Sequence, residues 1–296
     1  MNNRMNLNLR LKLSKRLNRS WAVDILLFLL LGSVAFFMAI PLIFTISNAF
    51  KPIDEIFVFP PRMLVRHPTL KNFTDLINIF SDSWVPFSRY VFNTFFIAIT
   101  GTVGHVIVAS AAAYPLAKIN FPGSKMLFNL VVMSLMFTAY VTQVPNYMTI
   151  SWLNLINTYW AILLPSLGMT LGLYLMKQFM EQIPDALLEA AKIDGASEYR
   201  IFWTIVMPIV KPAWLTLIIF SLQSLWTNGS VTSHKYIYSE QLKTVDYVFG
   251  QIASGGLVRT GPVAAVTLLM MIVPITVFIV TQSNIIQTMS TSGLKE

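Results

Sequence analysis

Charged residues and cysteine are the two things this chain has little or none of. Only 11% of its 296 residues are Asp, Glu, Lys or Arg, whereas soluble domains carry roughly 25%. Hydrophobic residues make up 55%, and the mean hydropathy is +0.63. The absence of cysteine excludes thiol chemistry and leaves the redox compartment unmarked. The composition predicts an integral membrane protein.

Sequence patterns of catalysis are also missing. No G-x-x-x-x-G-K-[ST] phosphate-binding loop occurs, and the nearest fragment, Gly123-Ser124-Lys125, lacks the first glycine. There is no H-E-x-x-H metal motif, no pair of carboxylates within an apolar run and no candidate catalytic triad. We therefore expect a chain that is not an enzyme and binds neither metal nor cofactor. Any ATP is then used by a partner.

Long apolar runs predict an all-α polytopic membrane protein with six transmembrane helices. The predicted spans are 24–47, 89–117, 126–149, 157–177, 212–229 and 262–282. The first run is longer than the core of a signal peptide, so we expect it to be retained as a span. No internal repeat or low-complexity tract interrupts the series.

The net charge of +8 is distributed in a way that indicates lipid rather than nucleic acid. Residues 1–23 form a basic tail before the first span; its cations are Arg4, Arg10, Lys12, Lys15, Arg16 and Arg19. Such a tail faces anionic lipid and holds the N-terminus in the cytoplasm. Segments 48–88 and 229–261 are then extracytoplasmic, whereas segment 184–208 and the tail 283–296 are cytoplasmic.

Two features of the spans favour helix packing over transport chemistry. His105 is the only Asp, Glu, Lys, Arg or His inside a span away from its ends. Proton- or ion-coupled transporters need several such groups, so a lone histidine favours an interhelical hydrogen bond. Gly168 and Gly172 form a G-x-x-x-G that predicts close helix contact. A secondary transporter or channel that works without partner subunits is the alternative function from a different class of protein, and these spans disfavour it.

The most charged internal stretch is EAAKIDGASEYRIFWTIVMP, residues 189–208. Pro184 suits the first position of a helix, and Gly195 supplies a left-handed stop. Ser197 is then placed to cap a second short helix. The stretch predicts two consecutive capped helices between the fourth and fifth spans.

The first of these helices is amphipathic. We expect Leu187, Ala190 and Ala191 on one side and Glu189 and Lys192 on another. The alanines permit close approach of a second surface. An amphipathic helix lying flat on the membrane is the alternative, and the residues alone leave both open.

The spacing of this stretch resembles the EAA loop of permease subunits in binding-protein-dependent ABC importers. The matching positions are Glu189, Ala190, Ala191, Asp194, Gly195, Ile205, Met207 and Pro208, with Met207 where leucine is usual. In that family the loop forms a coupling helix that docks in a cleft of the ATPase subunit. The resemblance covers 89–282, the type I ABC transmembrane domain, and implies ATPase coupling for 184–208.

Within that family the chain resembles the smaller permease subunit of maltose-type carbohydrate systems. This implies a bacterial cytoplasmic membrane, a heterodimer with a second permease, two ATPase subunits and an extracytoplasmic sugar-binding protein. It also implies that the loop 229–261 meets the binding protein and that the tail reaches the ATPases. The ending TQSNIIQTMSTSGLKE points to Gram-positive systems for plant-polysaccharide oligosaccharides such as those from pectin. The same machine for a peptide or polyamine is the alternative.

Polar and aromatic residues inside the spans are candidates for a sugar path. Sugars are bound by planar polar groups and aromatic faces. The candidates are Gln143, Asn146 and Tyr147 in the third span and Gln223 and Trp226 in the fifth. Pro145 is expected to break the third helix and free carbonyl groups. Such residues also join helices to one another and anchor helix ends at the membrane surface.

Overall fold

The computed structural model describes residues 21–81, 84–256 and 259–292, which form helices and no β-strand. Most of the basic tail and residues 293–296 lie outside this part of the chain. The helices are α1 (Trp21–Phe50), α2 (Ile53–Ile56), α3 (Lys71–Ser81), α4 (Phe87–Lys118), α5 (Ser124–Ser134), α6 (Ala139–Trp152), α7 (Trp160–Leu167), α8 (Thr170–Glu181), α9 (Asp185–Ile193), α10 (Glu198–Ile201), α11 (Met207–Ile209), α12 (Lys211–Tyr236), α13 (Val245–Ala253) and α14 (Thr260–Ser292). A π-helical turn, Phe202–Val206, joins α10 to α11, and a 3₁₀ turn, Glu240–Leu242, precedes α13.

Within the described residues, four helical segments are long and apolar enough to cross a membrane. They are Val23–Phe50, Phe87–Lys118, Trp160–Glu181 and Thr260–Gln282. Glu198–Ile209 and Lys211–Thr227 would supply a fifth span together, although their axes differ by 79°. Pro208 and Pro212 flank this bend, and each lacks the backbone N–H that a continuous helix needs. The all-helical class is confirmed, with four or five spans found of the six expected.

The predicted third span, 126–149, is not one continuous helix. α5 ends at Ser134 and α6 begins at Ala139, so the break lies before Pro145 and not at it. Pro145 is inside α6, where its carbonyl oxygen accepts a hydrogen bond from Thr149 Oγ1 at 2.9 Å. The expected break at Pro145 is therefore wrong. A proline disturbs the turn that precedes it, and here α6 starts fewer than two turns upstream of that proline.

Both polar segments between spans contain helices. α12 continues to Tyr236, so the segment 229–261 contains the end of that helix and all of α13. Segment 48–88 contains α2 and α3. Within it the buried carboxylate of Glu55 accepts the backbone N–H of Arg66 and of His67, each at 3.0 Å. These contacts fold the segment back on itself.

α4 lies at the centre of the fold and packs against α7, α8 and α12. Glycines on α4 allow this contact: a Cβ at Gly101 would lie 2.5 Å from Leu225 Cδ1, and one at Gly104 would lie 2.6 Å from Leu167 Cδ2. Nδ1 of His105 lies 3.2 Å from the carbonyl oxygen of Leu167. The predicted interhelical hydrogen bond of this histidine is confirmed.

Only one glycine of the G-x-x-x-G pair makes the close contact. A Cβ at Gly172 would lie 2.1 Å from His105 Nε2 and 2.8 Å from Leu217 Cδ1. At Gly168 the nearest atom is the carbonyl oxygen of Pro165, 3.7 Å away in the same helix. Gly172 therefore brings α4, α8 and α12 together, whereas Gly168 ends α7.

Candidate functional site

Residues 184–208 contain two short helices, α9 and α10, followed by the π-helical turn and the start of α11, and the predicted signals mark where α9 ends and α10 begins. Pro184 is the N-cap of α9, one residue before the first helical position expected for it. Gly195 has φ +79°, and the N–H groups of Gly195 and Ala196 bond the carbonyls of Lys192 and Ala191. This is the Schellman pattern, which requires a left-handed residue after the helix. Ser197 caps α10 by accepting the N–H of Arg200 at 3.4 Å.

α9 has one buried face and one exposed face. Leu188 and Ala191 are buried in a core with Ile201 and Val206. The opposite side, called here the exposed face of α9, consists of Ala186, Leu187, Ala190 and Ile193. Ile193 is 86% exposed. Ala191 was expected on the same side as Leu187 and Ala190, but it is buried beside Leu188, whereas Leu187 and Ala190 are exposed.

The predicted coupling residues divide between the surface and this core. Glu189, Ala190, Asp194, Gly195 and Pro208 are exposed, Ile205 is half-buried, and Ala191 is buried. Beside them, Lys192 Nζ lies 2.6 Å from Glu198 Oε1, with both side chains about half exposed at 51% and 48%. Four of the exposed residues, Glu189, Ala190, Asp194 and Gly195, lie on α9 or directly after it, and Pro208 lies beyond α10.

Two side chains of α4 that no local sequence pattern predicts hold residues 184–208 in place. Lys118 Nζ contacts Asp185 Oδ1 at 2.7 Å, and Tyr114 Oη donates to Glu198 Oε2 at 2.7 Å. Lys118 and Asp185 are 67 residues apart, and no local pattern links them. A lysine at the end of an apolar run indicates only a cytoplasmic boundary.

The other end of α4 holds the segment that follows α12. Asn93, which is fully buried, donates from Nδ2 to the carbonyl oxygens of Gln241 and Lys243, both at 2.8 Å. Lys243 Nζ in turn contacts Glu240 Oε2 at 2.6 Å and Tyr247 Oη at 2.7 Å. Burial alone would lower the pKa of Lys243, but these two partners outweigh it and hold that pKa above its ordinary value. The segment is thus fixed to α4 by buried polar contacts.

The candidates for a sugar path lie on two helices, α6 and α12. Gln143 is half-buried, Asn146, Tyr147 and Gln223 are exposed, and Trp226 is buried. The ring of Tyr147 stacks on Tyr236 with centroids 5.9 Å apart, which joins α6 to the end of α12. Gln223 lines a groove of about 230 Å³ against α14. The indole of Trp226 packs inside the fold and donates to the carbonyl oxygen of Met270 at 2.8 Å.

Known proteins resemble this chain over most of its length. The family described as "Binding-protein-dependent transport system inner membrane component" matches residues 17–291. Protein LplC of Bacillus subtilis is 32% identical over 210 residues, which cover 69% of this chain and 67% of LplC. The polygalacturonan/rhamnogalacturonan transport system permease protein YtcP of B. subtilis is 28% identical over 229 residues, 77% of each chain.

A solved structure shares the fold. It is a chain of a bacterial ABC transporter involved in the import of the acidic polysaccharide alginate, with a TM-score of 0.77. The match covers 90% of this chain and 98% of that chain at 22% sequence identity. The family match spans the EAA-like residues and all the apolar helices, so the resemblance found in residues 189–208 is confirmed. The chain belongs to the family of binding-protein-dependent transport system inner membrane components.

Proposed function

We propose that this chain is a permease subunit of an ATP-driven importer for an oligosaccharide and that the exposed face of α9 couples it to an ATPase subunit. The shape of that face is the observation that carries the proposal. Ile193 stands almost wholly free of the chain's own core, and its burial against a partner would be favourable. Ala186 and Ala190 leave room for a partner's backbone. A helix that is packed on its buried face and exposed on its opposite face is suited to docking in the cleft of a partner.

The charges around α9 argue against a helix lying flat on lipid. Helices of that kind carry lysine and arginine on their polar side. Here the exposed residues next to the apolar surface include two carboxylates, Glu189 and Asp194. Lys192 is already paired with Glu198. Anionic lipid would repel this surface, whereas a protein cleft with cationic groups would bind it.

A saccharide suits both the relatives and the spans. YtcP is named for the transport of polygalacturonan and rhamnogalacturonan, and the structural neighbour for alginate import. The span candidates in this chain are amides and aromatic rings, which bind neutral hydroxyls and ring faces. No lysine or arginine lies inside the predicted spans away from their ends. Selection of an acidic, pectin-derived sugar would therefore reside mainly in the external binding protein, and a peptide or polyamine is disfavoured.

The assembly and topology follow from this function. We assign six spans, with α5 and α6 together forming the third, and place both termini in the cytoplasm. A second permease completes the path, and two ATPase subunits use the ATP, so this chain needs no cofactor. Segment 229–261 faces the binding protein. Gln143, Asn146 and Gln223 are assigned to the path, whereas the buried indole of Trp226 supports the helices around it.

A single substitution on the exposed face of α9 tests the proposal. In Ala190→Trp we expect insertion and pairing with the second permease to be normal, while the purified complex loses the ATPase subunits and uptake of labelled oligogalacturonide stops. Ala253→Trp is the control for ATPase binding alone, since Ala253 is an exposed helical alanine of α13, and it should retain the ATPase subunits. Full retention of ATPase subunits and unchanged uptake in Ala190→Trp would refute the coupling role. Gradient-driven uptake by this chain reconstituted alone would refute the importer assignment.

A further inference from the structure

We infer that Tyr114 and Lys118 of α4 are positioning residues that set the angle at which α9 meets its partner. The inference rests on the proposed function of α9. The two residues are one helical turn apart and therefore share a face of α4. One contacts the start of the 184–208 element, and the other contacts the region just after α9. Contacts near both ends of α9 therefore come from a single turn of the central helix, α4.

Lys118 fixes the junction between α8 and α9. Its side chain is only 6% exposed, and Nζ reaches the carbonyl oxygens of Ile183 at 2.5 Å and Glu181 at 3.3 Å as well as Asp185 Oδ1 at 2.7 Å. Three N–H donors therefore meet three oxygens. The cation satisfies carbonyls at the end of α8, where a positive charge is favourable. At the start of α9 a cation is unfavourable, and the carboxylate of Asp185 offsets it. The contacts of Lys118 are therefore concentrated at the junction between the two helices.

Tyr114 fixes the other end of α9. Glu198 accepts its hydroxyl at Oε2 and lies within 2.6 Å of Lys192 Nζ at Oε1. Lys192 belongs to the last turn of α9, and Glu198 opens α10. The ring of Tyr114 also packs against Phe202 with centroids 5.5 Å apart. One carboxylate thus links α4, α9 and α10.

α4 can carry a change in the angle of α9 across the fold. Asn93, at its far end, holds the segment after α12. The 25 residues from Asn93 to Lys118 span about 38 Å of helix. Between them, Gly101 and Gly104 let α4 pack closely against Leu225 and Leu167. α4 contains one proline, Pro115, but it is packed along its length and bonded near both ends, so we expect it to transmit displacement through the fold.

Removing the ammonium group tests the inference in the assembled importer. Lys118→Met leaves the exposed face of α9 unchanged, so we expect the ATPase subunits to stay bound. Stimulation of ATP hydrolysis by the loaded binding protein should fall about fivefold or more, within the usual range of coupling between sites. Tyr114→Phe keeps the ring and removes one hydroxyl, so it should lower stimulation by less. Because this change is small, a loss of stimulation in Tyr114→Phe would not be explained by misfolding.

Lys177→Met is the matched control. The Lys177 side chain is 10% exposed, close to the value for Lys118, but its ion pair with Glu181 lies within α8. It should leave stimulation unchanged. Equal stimulation in the unmutated, Lys118→Met and Tyr114→Phe complexes would overturn the positioning role alone. An unmutated complex without any response to the loaded binding protein would overturn the proposed function as well.

A distance measurement tests the geometry independently of hydrolysis. Because the chain has no cysteine, spin labels can be placed at Ala186→Cys on α9 and Ile99→Cys on α4 without background. Both residues are exposed. In the full chain in lipid bilayers we expect one narrow distance distribution that broadens in Lys118→Met and stays narrow in Lys177→Met. A distribution unchanged by Lys118→Met would overturn the inference.

Discussion

The substitution Gly195→Val tests the effect of backbone strain at the end of α9. Gly195 has φ +79°, and no heavy atom lies within 4 Å of a Cβ built there. A Cβ there meets no other residue, so we expect the main cost of valine to be the left-handed conformation, about 1–2 kcal/mol. That cost shifts the population of a two-state local structure by a factor of roughly 5–30. We expect the Schellman end of α9 to open and the helix to lose its defined angle.

The assay compares membrane insertion with ATPase function. Insertion depends on the apolar helices and should be normal. ATPase association should weaken, and stimulation of hydrolysis by the loaded binding protein should be lost. Gly256→Val is the control, because Gly256 has φ +80° and equally open surroundings in the segment after α13. Gly255, one residue earlier, is not a matched control because its φ is not positive.

The two variants carry equal strain at opposite ends of the chain's fold, so they discriminate between explanations. Weakened ATPase association in Gly195→Val alone supports a local role of the α9 terminus. Loss of association in both variants would point to general destabilisation. Normal association and transport in Gly195→Val would refute the reasoning that links this turn to docking.

Two further predictions concern packing and pH. Gly172→Ala should lower the free energy of unfolding by about 1–3 kcal/mol through overpacking against the histidine of α4, whereas Gly168→Ala should change little; thermal unfolding of the purified chain measures both. The backbone N–H of Arg66 in particular lowers the pKa of Glu55 in the folded chain. The ionised carboxylate therefore stabilises segment 48–88 fully at pH values above its unfolded pKa of about 4.3. This stabilisation is lost as the pH falls through the lower pKa of the folded state. Protection of the backbone amides of residues 52–71 against hydrogen exchange should therefore decrease when the pH is lowered below about 4. Glu55→Gln should abolish this decrease, and Asp54→Asn should retain it. An identical decrease in Glu55→Gln would contradict the prediction.

The start and stop signals of the coupling element could be predicted because they are local. A glycine that ends a helix and a serine that caps the next act within a few residues of themselves. The break between α5 and α6 could not be predicted in the same way. Residues 135–138 read LMFT and are as apolar as the helices around them, so hydropathy shows no interruption. The proline that suggested a break lies downstream, inside α6.

The anchors of α9 show why a boundary lysine is hard to interpret from sequence. Lys118 and Lys177 both end apolar runs, and the positive-inside rule explains both equally. In the fold, Lys177 is paired with Glu181 in the next turn of its own helix. Lys118 instead joins the end of α8 to the start of α9. What separates them is whether the oxygens come from the same segment or from a distant one. A boundary lysine acquires a mechanical role when its acceptors belong to an element that must hold a fixed angle, and Lys118 meets that condition through Asp185.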